Sequence, residues 1–276
     1  MKHYSGGPWF RHLEVDVSGV CNRSCIFCPR YDSKNYPNVK EFFPLDLWEK
    51  VSGELGGYGY NHRIAFSGTG EPLFHKQIER LIAVARAEMP SVQLDLITNG
   101  DILKAKKMRS LIDAGLSRIL ISLYDGPFQH EKFDAMAAGV GLTREQVVCR
   151  VRYLAKEENF GLELSNRGGI ADNKEAGMDK PPEPRRRTCY YPFYFSSVDF
   201  RGNVLLCPHD WPKHLIIGNL RQQTFAGIWN SETMKKVRQK MFAVDIDFLP
   251  CSTCTVNGQI DGKQYFEQWA QHYAGR

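Results

Sequence analysis

Cys21, Cys25 and Cys28 stand in the run Cys-Asn-Arg-Ser-Cys-Ile-Phe-Cys, directly after the alternating segment His12-Leu-Glu-Val-Asp-Val-Ser18. A cubane iron–sulfur cluster needs a thiolate on each of its four irons for structural duty, so a tight loop with three cysteines leaves one iron open to another ligand. An open iron is a place for chemistry. A structural zinc site would take four protein ligands, and buried apolar thiols need no such spacing. Four more cysteines, Cys189, Cys207, Cys251 and Cys254, lie in the second half of the chain, the last pair as Cys-x2-Cys. Four thiolates suit one closed cluster or a tetrahedral zinc, although a zinc ribbon prefers two close pairs. Cys149 remains, and a lone thiol is usually a small core residue.

Other polar groups sit where apolar strands are predicted to end. Ser67-Gly-Thr-Gly-Glu-Pro72 follows one strand; its glycines, Gly70 among them, let backbone approach a ligand closely, and Glu71 offers an acceptor for an ammonium. Asn99, Ser122, Asn166 and Arg167 occupy comparable strand ends, where a polar side chain either caps the sheet or faces a ligand. Arg167 carries a planar donor fork that suits a substrate oxygen. His209 and Asp210, shortly after Cys207, are candidate bases, and also residues that would donate hydrogen bonds beside a cluster or end a hairpin.

These residues need a scaffold, and the first part of the chain supplies an α/β pattern. Short β-rich runs, Leu13 to Val17, Ile64 to Ser67, Val92 to Thr98, Arg118 to Tyr124 and Gly161 to Asn166, alternate with helical stretches starting at Pro44, His75, Leu103 and Thr143. The last of these helices, Thr143 to Glu158, would carry Cys149, with Thr143 and Gln146 at capping-box spacing. Five or six parallel strands are too few for a closed eight-stranded barrel, so an open partial (β/α) barrel is expected, with its catalytic groups at the C-terminal strand ends. The division expected is a barrel domain at 1–167, a linker at 168–188 and a small hairpin-plus-helix domain at 189–276. In the last, a hairpin turns at Arg201-Gly-Asn203, Thr224 to Phe242 reads as one helix, and Gln264 to Ala274 as another.

Composition narrows the class. The 276 residues are 42% hydrophobic and 24% charged, without an apolar run approaching the ~20 residues that span a bilayer, and the N-terminus lacks a signal peptide's apolar core. A cytoplasmic protein with no membrane partner is expected, where grouped cysteines bind metal rather than form disulfides. A net charge of +5, densest at Arg185-Arg186-Arg187 in a Pro-rich stretch, is too weak to imply nucleic acid.

The Cys-x3-Cys-x2-Cys loop resembles the signature of the radical SAM superfamily, whose open iron chelates S-adenosylmethionine (SAM) and whose cluster cleaves it to a 5'-deoxyadenosyl radical. The resemblance places Phe27 beside the adenine and makes Gly70 and Glu71 part of the motif that holds the methionine amino group, with Thr69 where the family more often has glycine. By the same resemblance Ser122 binds the methionine carboxylate or ribose, Asn99 adjoins the cofactor, and Asn166 or Arg167 contacts the ribose, carboxylate or substrate. The segment from Cys189 to Cys254, with Gly202, Ile217-Gly-Asn219 and Phe225-Ala-Gly-Ile-Trp229-Asn230, resembles the SPASM auxiliary-cluster region, in the shortened form called twitch because no cysteine follows Cys254. Two 4Fe–4S clusters are then implied, one binding SAM and one auxiliary. The activity implied is a dehydrogenase: hydrogen abstraction from a carbinol carbon of an aminocyclitol or sugar, oxidation to the ketone through the auxiliary cluster, and a flavodoxin or ferredoxin as reductant. The alternatives are an epimerase with Cys149 as hydrogen donor and a peptide maturase. Twenty residues ahead of Cys21 leave little room for a leader-binding domain, so the maturase ranks below the others.

Overall fold

The computed structural model describes residues 7–177 and 187–275; the Pro-rich part of the expected linker, with Arg185 and Arg186, lies outside the described residues. Two compact units form: one from Val15–Asn22 and Val39–Glu163, the other from Met1–Glu14, Arg23–Asn38 and Leu164–Arg276. Among the described residues no helix is long and apolar enough to cross a membrane.

β1, His12–Asp16, straddles the division at Val15, and strand and helix then alternate through the first of these, the parallel unit: α1 Leu45–Gly57, β2 Arg63–Ser67, α2 Ile78–Glu88, β3 Gln93–Thr98, α3 Ala105–Asp113, β4 Arg118–Leu123, α4 Phe128–Ala138 and β5 Val147–Val151. The strands run in the order β5-β4-β3-β2-β1, with parallel pairing from β2 to β5, and the sheet does not close. It is the expected mostly parallel, open α/β arrangement. Register gives the sheet two unlike faces, since successive side chains alternate. Phe66, Leu96, Ile119 and Ile121 share one face, which the helices cover: Trp48 of α1 meets Phe66 edge-on at 5.5 Å, and Phe133 of α4 crowds Gly100 together with Ile121. The opposite face carries Asp95, Arg118, Ser122 and Arg150.

Two expectations for this unit are corrected. Thr143 to Glu158 is not a helix; Gln146 does accept from the Thr143 backbone N–H at 3.1 Å, but that turn leads straight into β5. The β-branched run Val147-Val148-x-x-Val151 favours a strand once β4 offers a free edge, so Cys149 lies on a strand, in register with Ile121. Residues 161–166, expected as a strand, form none: Gly161 ends a short 3-10 segment, Lys156–Gly161, whose Asn159 and Phe160 have left-handed φ of 51° and 56°.

Asp95 is fully buried and joins three strands. Arg63 of β2 donates to it at 2.6 Å and Arg118 of β4 through two nitrogens at 2.9 and 2.8 Å. Burial alone would raise this carboxyl; the hydrogen bonds and charges of Arg118 and Arg63 outweigh it and hold it below the usual carboxylate range. The linked stability is present above the unfolded carboxyl pKa of about 3.9 and is lost as pH falls through the lower folded value. Asp95→Asn is expected to lower unfolding stability by about 3 kcal/mol at neutral pH, and to flatten the loss of stability below pH ~4 that the wild type shows. Urea titrations across that range check both; an unchanged midpoint would refute the role.

The second, auxiliary unit contains α5 Tyr191–Tyr194, β6 Phe195–Val198, β7 Asn203–Leu205, β8 Ile216–Asn219, α6 Phe225–Trp229, α7 Glu232–Phe242 and α8 Lys263–Ala274. The hairpin β6–β7 turns at Gly202, whose φ is +85°, and Asp199 closes it by accepting from the backbone N–H of Arg201 and Asn203, each at 2.9 Å. The single helix expected over 224–242 is broken at Asn230, because Ser231 caps a new start by accepting from Met234 N. Arg238 then ties the helices together: its guanidinium lies 4.3 Å from the Trp229 ring and 3.7 Å from the Trp269 ring, and it donates to the carbonyls of Pro192 and Trp229.

Candidate functional site

In the parallel unit the candidate residues gather where the strands end. The Gly-rich loop packs on the chain that leaves β1: a side chain at Gly70 would meet the Ser18 carbonyl at 1.8 Å, one at Gly68 would meet Asp16, and Glu71 N donates to Val20 O at 2.8 Å. Glycine is therefore required there for close approach. The Glu71 carboxylate is buried, accepting from Thr98 Oγ1 at 2.7 Å, Asn99 N at 2.8 Å and Leu73 N at 3.1 Å. Burial pushes it up to about 7, against those three hydrogen bonds. Asn99 Nδ2 donates to Asn22 Oδ1 at 2.8 Å and reaches Cys21 Sγ at 3.9 Å. The loop, the end of β3 and Cys21 thus form one hydrogen-bonded chain. Ser122 is buried on β4 beside Arg150 of β5. Cys149 is on the helix-covered face, opposite Ser122; burial, and then Asp134 of α4, raise its thiol to about 11.

Cys25, Phe27 and Cys28 belong to the auxiliary unit, where Cys28 N donates to Cys25 O at 2.9 Å in a tight turn and Phe27 is half-buried. The neighbouring Ile26 carbonyl accepts from Asn173 Nδ2 at 2.9 Å.

The four later cysteines line one cavity of about 50 Å³, together with Gly168, His209 and Gly258. Burial raises the Cys189 thiol to about 12, and burial raises Cys207 and Cys251 too; the neighbouring cysteines push each of the three further up. Thiols that resist ionisation in one another's company are what a bound multivalent cation relieves. The surroundings are cut to fit: a side chain at Gly258 would lie 2.2 Å from Cys189 Sγ, and Val256 N donates to Cys254 Sγ at 3.4 Å. The residues present suit an iron–sulfur cluster held by Cys189, Cys207, Cys251 and Cys254.

Around it the other candidates divide by what they touch. Asn166 is buried with its side chain spent on the Cys251–Cys254 loop: Nδ2 donates to Thr253 O, Oδ1 accepts from Thr255 N at 3.2 Å, and its own N–H donates to Thr255 Oγ1 at 2.9 Å. Arg167 adopts a left-handed φ of 48°, followed by Gly168 and Gly169 at 70° and 96°. Its Nη1 lies 3.1 Å from His209 Nδ1, and its guanidinium lies 5.9 Å from the Trp211 ring. Guanidinium only donates, so Nδ1 is the acceptor and the imidazole proton sits on Nε2, toward Tyr191 Oη at 3.2 Å. Burial and then the Arg167 charge hold His209 neutral, its pKa well below the usual value. Asp210 is fully buried and accepts from the backbone N–H of His214 and Leu215, each at 2.9 Å, closing the loop after Cys207. Asn22, Thr253, Thr255 and Gly258 were not singled out by sequence. Their contributions are backbone contacts and close approaches, which leave little trace in residue type.

Asn166→Ala is expected to loosen the Cys251–Cys254 loop, costing about 2 kcal/mol for its lost and orphaned hydrogen bonds. Faster iron loss to a chelator from the later four cysteines checks this; a wild-type rate would refute it.

Family models place this geometry. The radical SAM superfamily model matches residues 15–157, more than half of the chain, and the model of the SPASM iron–sulfur cluster-binding domain matches residues 189–255. The chain belongs to the radical SAM superfamily. It is a radical SAM enzyme, and its two matched regions bring S-adenosyl-L-methionine and two 4Fe–4S clusters. It is 29% identical, over 84% of its length and 87% of the relative's, to an S-adenosyl-L-methionine-dependent 2-deoxy-scyllo-inosamine dehydrogenase of Niallia circulans. The crystal structure of BtrN in complex with AdoMet and 2-DOIA aligns with a TM-score of 0.74 at 26% identity, covering 91% of this chain and 95% of that one. A GTP 3',8-cyclase of Mycolicibacterium smegmatis is 32% identical over 74% of this chain, which spans 54% of the cyclase.

Proposed function

We propose that this radical SAM enzyme is a dehydrogenase that oxidises a carbinol carbon of a polar small molecule, an aminocyclitol or sugar, to a ketone. When bound, SAM at the N-terminal cluster supplies hydrogen abstraction at carbon, and the auxiliary cluster supplies a one-electron sink. The observation that carries the reading is the closed set of four cysteines around one cavity. A set that leaves no iron open serves electron transfer rather than substrate ligation, and oxidation after hydrogen abstraction requires one further electron and one proton to leave. The similarity to a dehydrogenase along nearly the whole of both chains supports the same choice.

Arg167 is the residue assigned to the substrate. Its guanidinium is half-buried, anchored by His209 and held on a strained backbone, and strain of this kind collects where a side chain must be aimed. A hydroxyl that meets this fork gives up its proton more readily, because the cation stabilises the oxyanion. Asp210 and the Nδ1 of His209 are engaged in positioning hydrogen bonds. Cys149, on the face opposite Ser122, is poorly placed to quench a radical there. A flavodoxin or ferredoxin supplies the reducing electron.

Anaerobic turnover in deuterated water tests the reading by mass spectrometry. A product two mass units below the substrate, without solvent deuterium at carbon, is expected from loss of two hydrogens; an isomer of the substrate carrying one deuterium would make the enzyme an epimerase.

A further inference from the structure

We infer that Tyr36 and Trp211 are positioning residues that tie the loop carrying Cys25 and Cys28 to Arg167, so that one stack of side chains sets these SAM-site cysteines and the substrate's arginine together. This rests on the assignment of Arg167 to the substrate, and it adds the residues that hold Arg167 in register with the cofactor loop. The stack runs cation, ring, ring, cation. The Arg30 guanidinium lies 5.1 Å from the centre of the Tyr36 ring, Tyr36 and Trp211 meet at 4.9 Å with their planes tilted by 55°, and the Arg167 guanidinium lies 5.9 Å from the Trp211 ring. Each spacing falls where a ring attracts a cation or a second ring. All four side chains belong to the auxiliary unit, although separate stretches of the sequence supply them.

Both ends of the stack are anchored in a site. Arg30 is buried in the turn Pro29–Tyr31, directly after Cys28, and its Nη1 donates to Asn38 Oδ1 at 2.6 Å. Backbone bonds carry the same turn back to the cysteines: Tyr31 N donates to Cys28 O and Cys28 N to Cys25 O, each at 2.9 Å. At the other end Arg167 is gripped by two residues of one loop, by His209 through a hydrogen bond and by Trp211 through its ring. Trp211 N donates to His209 O at 2.9 Å, so the two move together. A second tie runs alongside, since Asn173, shortly after Arg167, donates to the carbonyl of Ile26 between the cysteines.

Trp211 is buried although its loop has no regular structure, and it meets Tyr36 on one side of the stack and Arg167 on the other. Arg167 has a left-handed φ of 48°, a strained backbone that persists only where its surroundings over-determine it. The chemistry explains why those surroundings reach back to the cysteine loop. Hydrogen abstraction requires the radical carbon and the carbinol carbon to be held in contact, and a misplacement of about 1 Å can cost ~100-fold. A stack between the loop that carries two of the iron ligands and the side chain that meets the substrate's hydroxyl fixes their separation.

The anaerobically reconstituted, reduced holoenzyme tests this without substrate, by following the decay of each cluster's electron paramagnetic resonance signal under EDTA. In Trp211→Leu the SAM-responsive signal is expected to decay about tenfold faster than in the wild type, with the other signal changed by less than about twofold. Trp211→Phe, which keeps a ring, should restore most of the wild-type lifetime. Arg167→Leu should speed the same decay on its own and add nothing in Trp211→Leu, where the stack is already open. A wild-type decay in Trp211→Leu, no rescue by Trp211→Phe, or an additive effect of Arg167→Leu overturns the stack; equal acceleration of both signals overturns it in favour of a general loosening. Thermal unfolding confirms that each variant is folded, and Tyr36→Leu, at a half-buried side chain, carries the same comparison with Arg167→Leu where Trp211→Leu is not. Ketone formation is scored separately: its absence beside the selective decay removes only the dehydrogenase reading, whereas ketone formation beside an unselective decay removes only the stack.

Discussion

Alanine at Cys21, Cys25 or Cys28 is expected to abolish reductive cleavage of SAM, a loss well beyond the ~10–100-fold that removal of an outer-shell partner costs. With two thiolates the N-terminal cluster is no longer held, and the iron that accepts the cofactor goes with it. Bound iron should fall from about eight to about four per chain, since each cubane cluster contains four. The parallel unit should stay folded, because its core of Leu94, Leu96, Ile119 and Ile121 is fully buried without help from the loop. Liquid chromatography of 5'-deoxyadenosine after dithionite reduction gives the activity, and circular dichroism gives the fold. A variant that loses one of these cysteines and still cleaves SAM at the wild-type rate would refute the assignment. Asn99→Ala, which removes the contact with Cys21 Sγ and Asn22, should fall within that outer-shell range.

Serine at Cys189, Cys207, Cys251 or Cys254 should act differently. Here SAM is still cleaved, but the ketone is lost, because nothing beside the substrate collects its second electron. The ratio of 5'-deoxyadenosine to ketone, near one in a coupled enzyme, should rise by at least about tenfold, a change in barrier of about 1.4 kcal/mol or more. Cys189 and Cys207 are the more sensitive pair. The backbone at Gly258 closes directly on Cys189 Sγ, and the Cys207 loop is drawn shut by the buried carboxylate of Asp210. Retained ketone formation in these variants would remove the auxiliary site from the reaction, and simultaneous loss of SAM cleavage and fold would make it a structural staple.

Cys21, Cys25 and Cys28 stand out in the sequence because their spacing is local, as does the pair Cys251 and Cys254; Cys189 and Cys207 join that pair by resemblance, and the structure lines one cavity with all four. Also legible were β1 to β4, whose apolar runs end within a residue or two of the strand ends, and the hairpin at Gly202, where turn chemistry is explicit. The errors came where distant contacts decide. Thr143 and Gln146 make a real turn, but pairing with β4 turns Val147–Val151 into a strand. α4 went unseen because only Gln129, Phe133 and Ala137 mark its buried side, a thin stripe at helical spacing that Gln129 disguises. At the site, residue type made Asn166 and Glu71 candidates but did not show what they hold. The Asn166 amide meets residues 253 and 255, and Glu71 meets the end of β3.

The central claim, an N-terminal cluster open to SAM and a closed auxiliary one, is tested most directly by iron analysis with electron paramagnetic resonance on the anaerobically reconstituted, reduced protein. About eight irons per chain are expected, with addition of SAM altering the signal of one cluster and leaving the other unchanged. Zinc in either set, iron near four or below, or two signals that both ignore SAM would contradict it.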